Sequence, residues 1–154
     1  MADLRGGIDL GGTKIQAAIV DAHGEAIGEA RHPTPTSGGP PEVAEAMAAT
    51  LREAATEAGA ETAALAGVGV GSPGDADERT GVVANARNLP GWEGSFPLAE
   101  KLAQALGTEV KVGNDVQVAT EAEFHLGAGR EFQSLIGVFW GTGVGGGLVL
   151  DGKP

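Results

Sequence analysis

Ile8-Asp9-Leu10-Gly11-Gly12-Thr13-Lys14 decides the fold: a strand pattern ends in a carboxylate, two glycines, a hydroxyl and a cation. The apolar run at 15–20 follows at once, and Asp21-Ala22-His23-Gly24 then supplies a turn. Strand, tight glycine turn and second strand make a β-hairpin. The same design recurs 130 positions later, where Phe139-Trp140-Gly141-Thr142-Gly143-Val144-Gly145-Gly146-Gly147 runs into Leu148-Val149-Leu150 and a turn at Asp151-Gly152. A shift of 130 sets Gly11 on Gly141, Ala18-Ile19-Val20 on Leu148-Val149-Leu150, and Asp21 on Asp151. A nucleotide held between two lobes needs such a pair, one glycine loop from each.

Outward from the first hairpin, residues 4–10 and 15–20 read as strands, with a third strand at 26–31 and a Pro/Thr/Gly loop at 32–41. A helix is expected over 41–58: proline at its start, Glu42 and Glu45 in the first turn, Val43, Met47 and Leu51 on one stripe, and Gly59 to end it. A buried strand at 64–71 leads into Ser72-Pro73-Gly74. The polar, glycine-containing stretch 75–95 reads as a long functional loop with one short strand at 81–84. A second helix at 97–105 closes at Gly107, a strand follows at 109–112, and a third helix at 115–126 starts directly after Asn114 and ends at Gly127. The strand 135–140 then enters the second glycine loop. Hairpins followed by strand–helix alternation predict an α/β domain with a mixed sheet. A second unit of the same kind starts after it and is expected to be unfinished at Pro154.

With 154 residues the chain can bury a core without staples, and with no cysteine it holds neither a disulfide framework nor a thiolate metal site. The apolar runs fall short of the roughly 20 residues of a membrane span. Met-Ala-Asp at the start lacks the basic flank and apolar segment of a secretory signal. A soluble, cytoplasmic protein without membrane association is the expectation. The net charge of -11, from 21 acidic and 10 basic residues, disfavours nucleic acid as a partner. It is compatible with a small phosphate ligand held by backbone N–H groups and a metal ion. Glycine makes up 27 of the 154 residues, against an average near 7%, and punctuates strands and loops where backbone must approach a ligand closely.

In the first loop, Gly11 and Gly12 let N–H groups converge on phosphate oxygens, and Thr13 adds a hydroxyl donor. Asp9 at the strand end can hold a hydrated magnesium ion that bridges the phosphates. Lys14 either screens charge or points to solvent. An ordinary Gly-Gly hairpin turn is the competing reading, and the Walker pattern is absent. Gly141, Thr142 and Gly143 offer a second nest plus hydroxyl, although glycine runs also mark sheet crossings. Asn114-Asp115 stands at a strand-to-helix junction, where α/β sheets collect ligands. A carboxylate there can take the proton of a substrate hydroxyl attacking a phosphoryl group while Asn114 orients that substrate. Both residue types are equally the preferred helix N-caps. Gly69-Val70-Gly71-Ser72-Pro73-Gly74 and Asn88-Leu89-Pro90-Gly91-Trp92 are rigid turns suited to a polyhydroxyl ligand, with a core aromatic as the other reading of Trp92. His23, His32 and His125 lack metal-ligand spacing.

Residues 9–14, 69–74, 88–92, Asn114-Asp115 and 141–147 together resemble, in order and approximate spacing, the bacterial ROK sugar kinases, their glucokinases above all. The resemblance spans residues 4–154. It implies the two-lobed ribonuclease-H-like fold shared with actin and hexokinase, ATP and Mg2+ in the cleft, and phosphoryl transfer to the 6-hydroxyl of a hexose. It implies Asp115 as general base, Asn88 and Asn114 as sugar contacts, and Ser72-Pro73 as lining of the sugar pocket. It also implies Gly11, Gly12 and Thr13 with Lys14 as the first phosphate loop, Gly141, Thr142 and Gly143 as the second, and Asp9 in the magnesium shell. On this basis 1–117 is an N-terminal actin-like ATPase lobe, and 118–154 a connecting helix with the first hairpin of an incomplete second lobe.

The family's members are longer chains. Past the second glycine loop they carry a Glu-x-x-x-His-type stretch, a cysteine-rich zinc motif, the adenosine site and a C-terminal helix. None of these occurs in the 154 residues, so the structural zinc site is not expected, and no helix-turn-helix fits before Asp9. The leading expectation is the N-terminal half of an ATP-dependent hexose kinase of carbohydrate metabolism and glycolysis, inactive alone. The alternative is a non-catalytic sugar-binding or interaction module made of a single lobe. Glucose leads, N-acetylated hexosamines, mannose and fructose stay open, polyphosphate remains an alternative donor, and a homo-oligomer is an admissible state.

Overall fold

Leu10 and Ile15, fully buried on either side of the glycine turn, start the first sheet. In the computed structural model, which describes residues 3–140 and 144–154, β1 (Arg5–Leu10) and β2 (Lys14–Val20) pair antiparallel with Leu10 opposite Ile15. Side chains alternate across a strand, so Ile8 and Leu10 share one face with Ile15, Ala17 and Ile19, and all five are buried. β3 (Ala26–Pro33) adds antiparallel to β2. Asp21 closes that second turn: its carboxylate accepts from the backbone N–H groups of Glu25 and His23, which hold it below its ordinary pKa.

α1 (Gly39–Glu57) lays Val43, Met47, Leu51 and Ala54 into the core without exposure. It begins two residues before the expected 41, because Gly38 enters at φ 85 and the two prolines that follow Gly39 are tolerated in a first turn, where N–H groups lack partners anyway. β3 approaches α1 so closely that a side chain at Gly28 would fall on the carbonyl oxygen of Ala54 and within 2.8 Å of Ala58 N. The buried strand expected at 64–71 starts later, as β4 (Val68–Ser72), since a single 3-10 turn occupies Thr62–Ala64.

The stretch 75–95 is not the long loop expected. It forms a second, three-stranded antiparallel sheet of β5 (Asp75–Asp77), β6 (Val82–Ala84) and β7 (Ser95–Phe96). Trp92 holds it: the indole is buried, donates to Val83 O at 3.1 Å, and meets Phe96 edge-on at 5.7 Å. The core reading of Trp92 is therefore the correct one. α2 (Leu98–Leu106) packs Leu98, Leu102 and Leu106 inward and ends at Gly107, φ 74. β8 (Val110–Asn114) completes the main sheet, whose order is β3-β2-β1-β4-β8. β4 runs parallel to β1, so the sheet is mixed, as the element order required.

The chain divides into two compact units between Gly113 and Asn114. In the second, α3 (Asp115–Leu126) packs on the antiparallel pair β9 (Leu135–Trp140) and β10 (Val144–Val149). Glycines permit that packing: a side chain at Gly145 would lie 2.6 Å from Val116 Cγ2, and one at Gly147 2.6 Å from Thr120 Cβ. Gln117 ties helix to strand, donating to Leu148 O and accepting from Leu148 N, both at 3.0 Å.

The 130-residue repeat holds for three of the four strand bounds, with β10 ending one residue short, and fails for register. Leu10 pairs with Ile15, but Trp140 pairs with Val144 rather than Gly145. A slip of one residue turns a strand over. Ile8 and Leu10 thus face α1, whereas their counterparts Val138 and Trp140 turn outward, with Trp140 88% exposed. Ile136, Val144 and Leu148 share that exposed apolar face. Among the described residues, no helix is long and apolar enough to cross a membrane.

Because the Gly28 contact is with helix backbone, Gly28→Ala is expected to lower unfolding stability by about 2 kcal/mol, read from the urea midpoint. An unchanged midpoint would show that β3 and α1 are not in such close contact.

Candidate functional site

Parallel pairing of β1 with β4 sets Asp9 opposite Gly71, so both strands reach the same sheet edge at their carboxyl ends. From that edge Leu10 runs into the glycine loop, and Ser72 into Pro73-Gly74. Ligands of open α/β sheets gather outside carboxyl ends of this kind. Asp9 alternates with Ile8 and Leu10 and places its carboxylate on the exposed face.

The loop itself is closed by a bond from Gly11 N–H to Lys14 O, 2.9 Å. Gly12 and Thr13 are exposed, while Gly11 and Lys14 are half-buried. Thr34, only 4% exposed, braces the loop from behind. Its hydroxyl donates to Gly11 O at 2.7 Å and its N–H to Thr13 O at 3.1 Å.

Gly12 meets the segment that carries Asn88. A β-carbon at Gly12 would sit 3.2 Å from Asn88 O and 3.3 Å from Asn88 Cβ. The structure therefore brings the first phosphate-loop candidate and the sugar-contact candidate Asn88 into one site. Asn88 is exposed, and its segment is pinned by the buried neighbours Leu89 and Trp92. Asn85 adopts φ 54 before it and donates to Asp75 Oδ2 at 2.7 Å. A depression of about 390 Å3 opens there, lined by Asn85, Arg87, Leu89, Gly91, Trp92 and Glu93.

Ser72 and Pro73 are buried, and the Ser72 hydroxyl donates to Pro73 O at 3.1 Å. Gly74 turns at φ 92 where a side chain would lie 2.5 Å from Ala84 O. In the first unit these residues shape the turn that leaves β4.

In the second unit, the capping alternative holds for Asn114: its Oδ1 accepts from Val116 N at 3.1 Å and Gln117 N at 3.2 Å. Asp115, half-buried in the first turn of α3, accepts from Val116 N at 2.9 Å through its own Oδ1. Gly141, Thr142 and Gly143 lie outside the described residues.

No group of three or more His, Cys, Asp or Glu among the described residues could hold a metal ion. One carboxylate, that of Asp9, fits magnesium held together with nucleotide phosphates, since that ion keeps waters and takes one or two carboxylates. It does not fit a metal site made by protein alone. Sequence reasoning missed Thr34 and Gln117. The available signal for Thr34 was its place between Pro33 and Pro35; Gln117 carried none.

Gly12→Ala is expected to push the Asn88 segment outward by a few tenths of an ångström and to cost about 1 kcal/mol. Amide shift changes in 15N–1H spectra should then appear at Asn88 and Leu89 as well as at residues 11–14. Changes confined to 11–14 would show that the two segments do not touch.

Among known proteins, the chain is 34% identical over 146 residues to a glucokinase of Thermotoga maritima, 95% of this chain and 44% of that one. It superposes on the ROK hexokinase of Thermus thermophilus with a TM-score of 0.83 at 39% identity, covering 97% of this chain and 48% of the other. A ROK family glucokinase from Streptomyces griseus, solved in complex with glucose and AMPPNP, gives 0.85 at 33% identity, with 97% and 45% covered. The chain spans about half the length of these relatives, and its fold is the ribonuclease-H-like, actin/hexokinase-type lobe with a mixed sheet. The ROK family's own sequence pattern runs from residue 5 to residue 154 and so takes in both units: the chain belongs to the ROK family.

Proposed function

We propose that this chain contributes the first lobe and the catalytic helix of a kinase that moves the terminal phosphoryl group of ATP to the 6-hydroxyl of a hexose, glucose first. The close approach of Gly12 to Asn88 supports this reading, because it sets the glycine loop, read here as a phosphate loop, beside the residue read as a sugar contact. Relatives named glucokinase and N-acetyl-D-glucosamine kinase support sugar phosphorylation, at 34% identity each.

In this reading Gly11, Gly12 and Thr13, with Lys14 nearby, hold phosphate oxygens through N–H groups and a hydroxyl. Gly141, Thr142 and Gly143 do the same from the second hairpin. Asp9 would hold magnesium, which would supply charge stabilisation to the transferring phosphoryl group. Asn88 and Asn114 contact the sugar, Ser72-Pro73 shapes the wall behind it, and Asp115 takes the proton of the attacking hydroxyl. Phosphoryl transfer leaves the protein mainly positioning and electrostatic work, and a base at Asp115 adds about 10²–10⁴-fold.

We further propose that these 154 residues do not sustain turnover by themselves. The apolar face of Ile136, Val138, Trp140, Val144 and Leu148 stands uncovered, and relatives are about twice as long, with 44% of the Thermotoga maritima glucokinase matched.

The test is a chimera of this chain with the part of that glucokinase it does not match. The chimera should phosphorylate glucose, and Asp115→Asn should lower kcat by at least about 100-fold while calorimetry finds glucose binding retained. Undiminished turnover in the variant would rule out Asp115 as base. ATP-dependent phosphorylation by the 154-residue chain alone would contradict the shared-lobe reading.

A further inference from the structure

Two bonds from Thr34 flank Gly12. The hydroxyl reaches Gly11 O at 2.7 Å and the backbone N–H reaches Thr13 O at 3.1 Å. No peptide bond described is cis, and in a trans peptide the C=O and N–H point to opposite sides. With the Gly11 carbonyl tied back to Thr34, the Gly12 N–H is turned away from Thr34. The Thr13–Lys14 peptide is oriented in the same sense.

That orientation matters for an anion. Carbonyl oxygens repel phosphate, and a concave run of N–H groups attracts it. One residue thus decides which end of two peptide dipoles the loop presents.

Thr34 is itself held firmly. Pro33 ends β3 opposite Lys14, and Pro35 confines the residue before it to extended backbone. With only 4% of its surface exposed, Thr34 is packed in place rather than free to rotate into solvent.

We infer that Thr34 is the positioning residue of the first phosphate loop: its hydroxyl sets the Gly11–Gly12 peptide with the N–H outward, toward a phosphate oxygen. The inference rests on the reading of residues 11–14 as a phosphate loop. It adds a residue 23 positions away in sequence that touches no substrate and acts through the loop.

The test is a titration of the 154-residue chain with inorganic tripolyphosphate, followed in 15N–1H spectra. In the wild type the Gly12 amide proton should move downfield and saturate. Thr34→Val, which replaces the hydroxyl by a methyl, should weaken that titration about tenfold, the worth of one such hydrogen bond. Thr34→Ser should restore both the affinity and the Gly12 shift, which a purely structural role for the γ-methyl would not do. Signals from α1 and β4 should stay in place in both variants. If Thr34→Val does not fold, Thr34→Ala provides the same comparison with the same expectation. Wild-type affinity and an unchanged Gly12 shift in the hydroxyl-free variant would overturn the inference and leave the phosphate reading intact. No titration in the wild type would overturn the phosphate reading itself, and the inference with it.

Discussion

Parallel pairing of β1 with β4, Asp9 opposite Gly71, is the constraint on which the first unit depends. Parallel neighbours cannot be joined by a tight turn and need a crossover of a dozen or more residues. Here the crossover contains β2, β3 and α1, and α1 returns over the face that carries Ile8, Leu10, Ile15 and Ile19. Burying that face and aligning two carboxyl ends are one event. The same alignment brings Asp9 and the Ser72-Pro73 turn to a single edge, where the glycine loop meets Asn88.

Close approach governs the details. Gly28 lets a strand touch helix backbone, and Gly12 lets the glycine loop approach Asn88 closely. Gly145 and Gly147 let α3 settle on its hairpin. In the second unit the hairpin starts both strands where the first does but slips by one residue in register, so one apolar face packs on α3 and the other faces out. An uncovered face of five large apolar residues is what a further layer of structure would bury.

Much of this was legible in the sequence. Asp-x-Gly-Gly-Thr-Lys announced its hairpin, and Asn114-Asp115 marked the start of α3 to the residue. The family resemblance carried the fold. What stayed hidden had physical causes. Asp75-Ala76-Asp77 has low strand propensity and becomes β5 because β6 pairs with it, on a sheet that Trp92 ties through Val83 O. Gly39 and Pro40 read as loop, yet α1 begins two residues ahead of Pro41 because a first turn needs no N–H partner. The one-residue register slip leaves no mark on a pattern that matches position by position. Thr34 acts across 23 residues, beyond any local spacing rule. Asn114 was read two ways, and its side-chain oxygen proves to cap the helix while the role proposed for Asp115 rests on the family reading.

In the proposed function, the glycine loop and the Asn88 segment form one site at the carboxyl edge of β1 and β4. Titrating the 15N-labelled chain with glucose tests it most directly. The amides of Gly12 and Asn88 should shift together along one saturation curve, while those of β3 and of α1's solvent face stay put. Saturable shifts that bypass both residues, or that move Asn88 and leave Gly12 untouched, would contradict it.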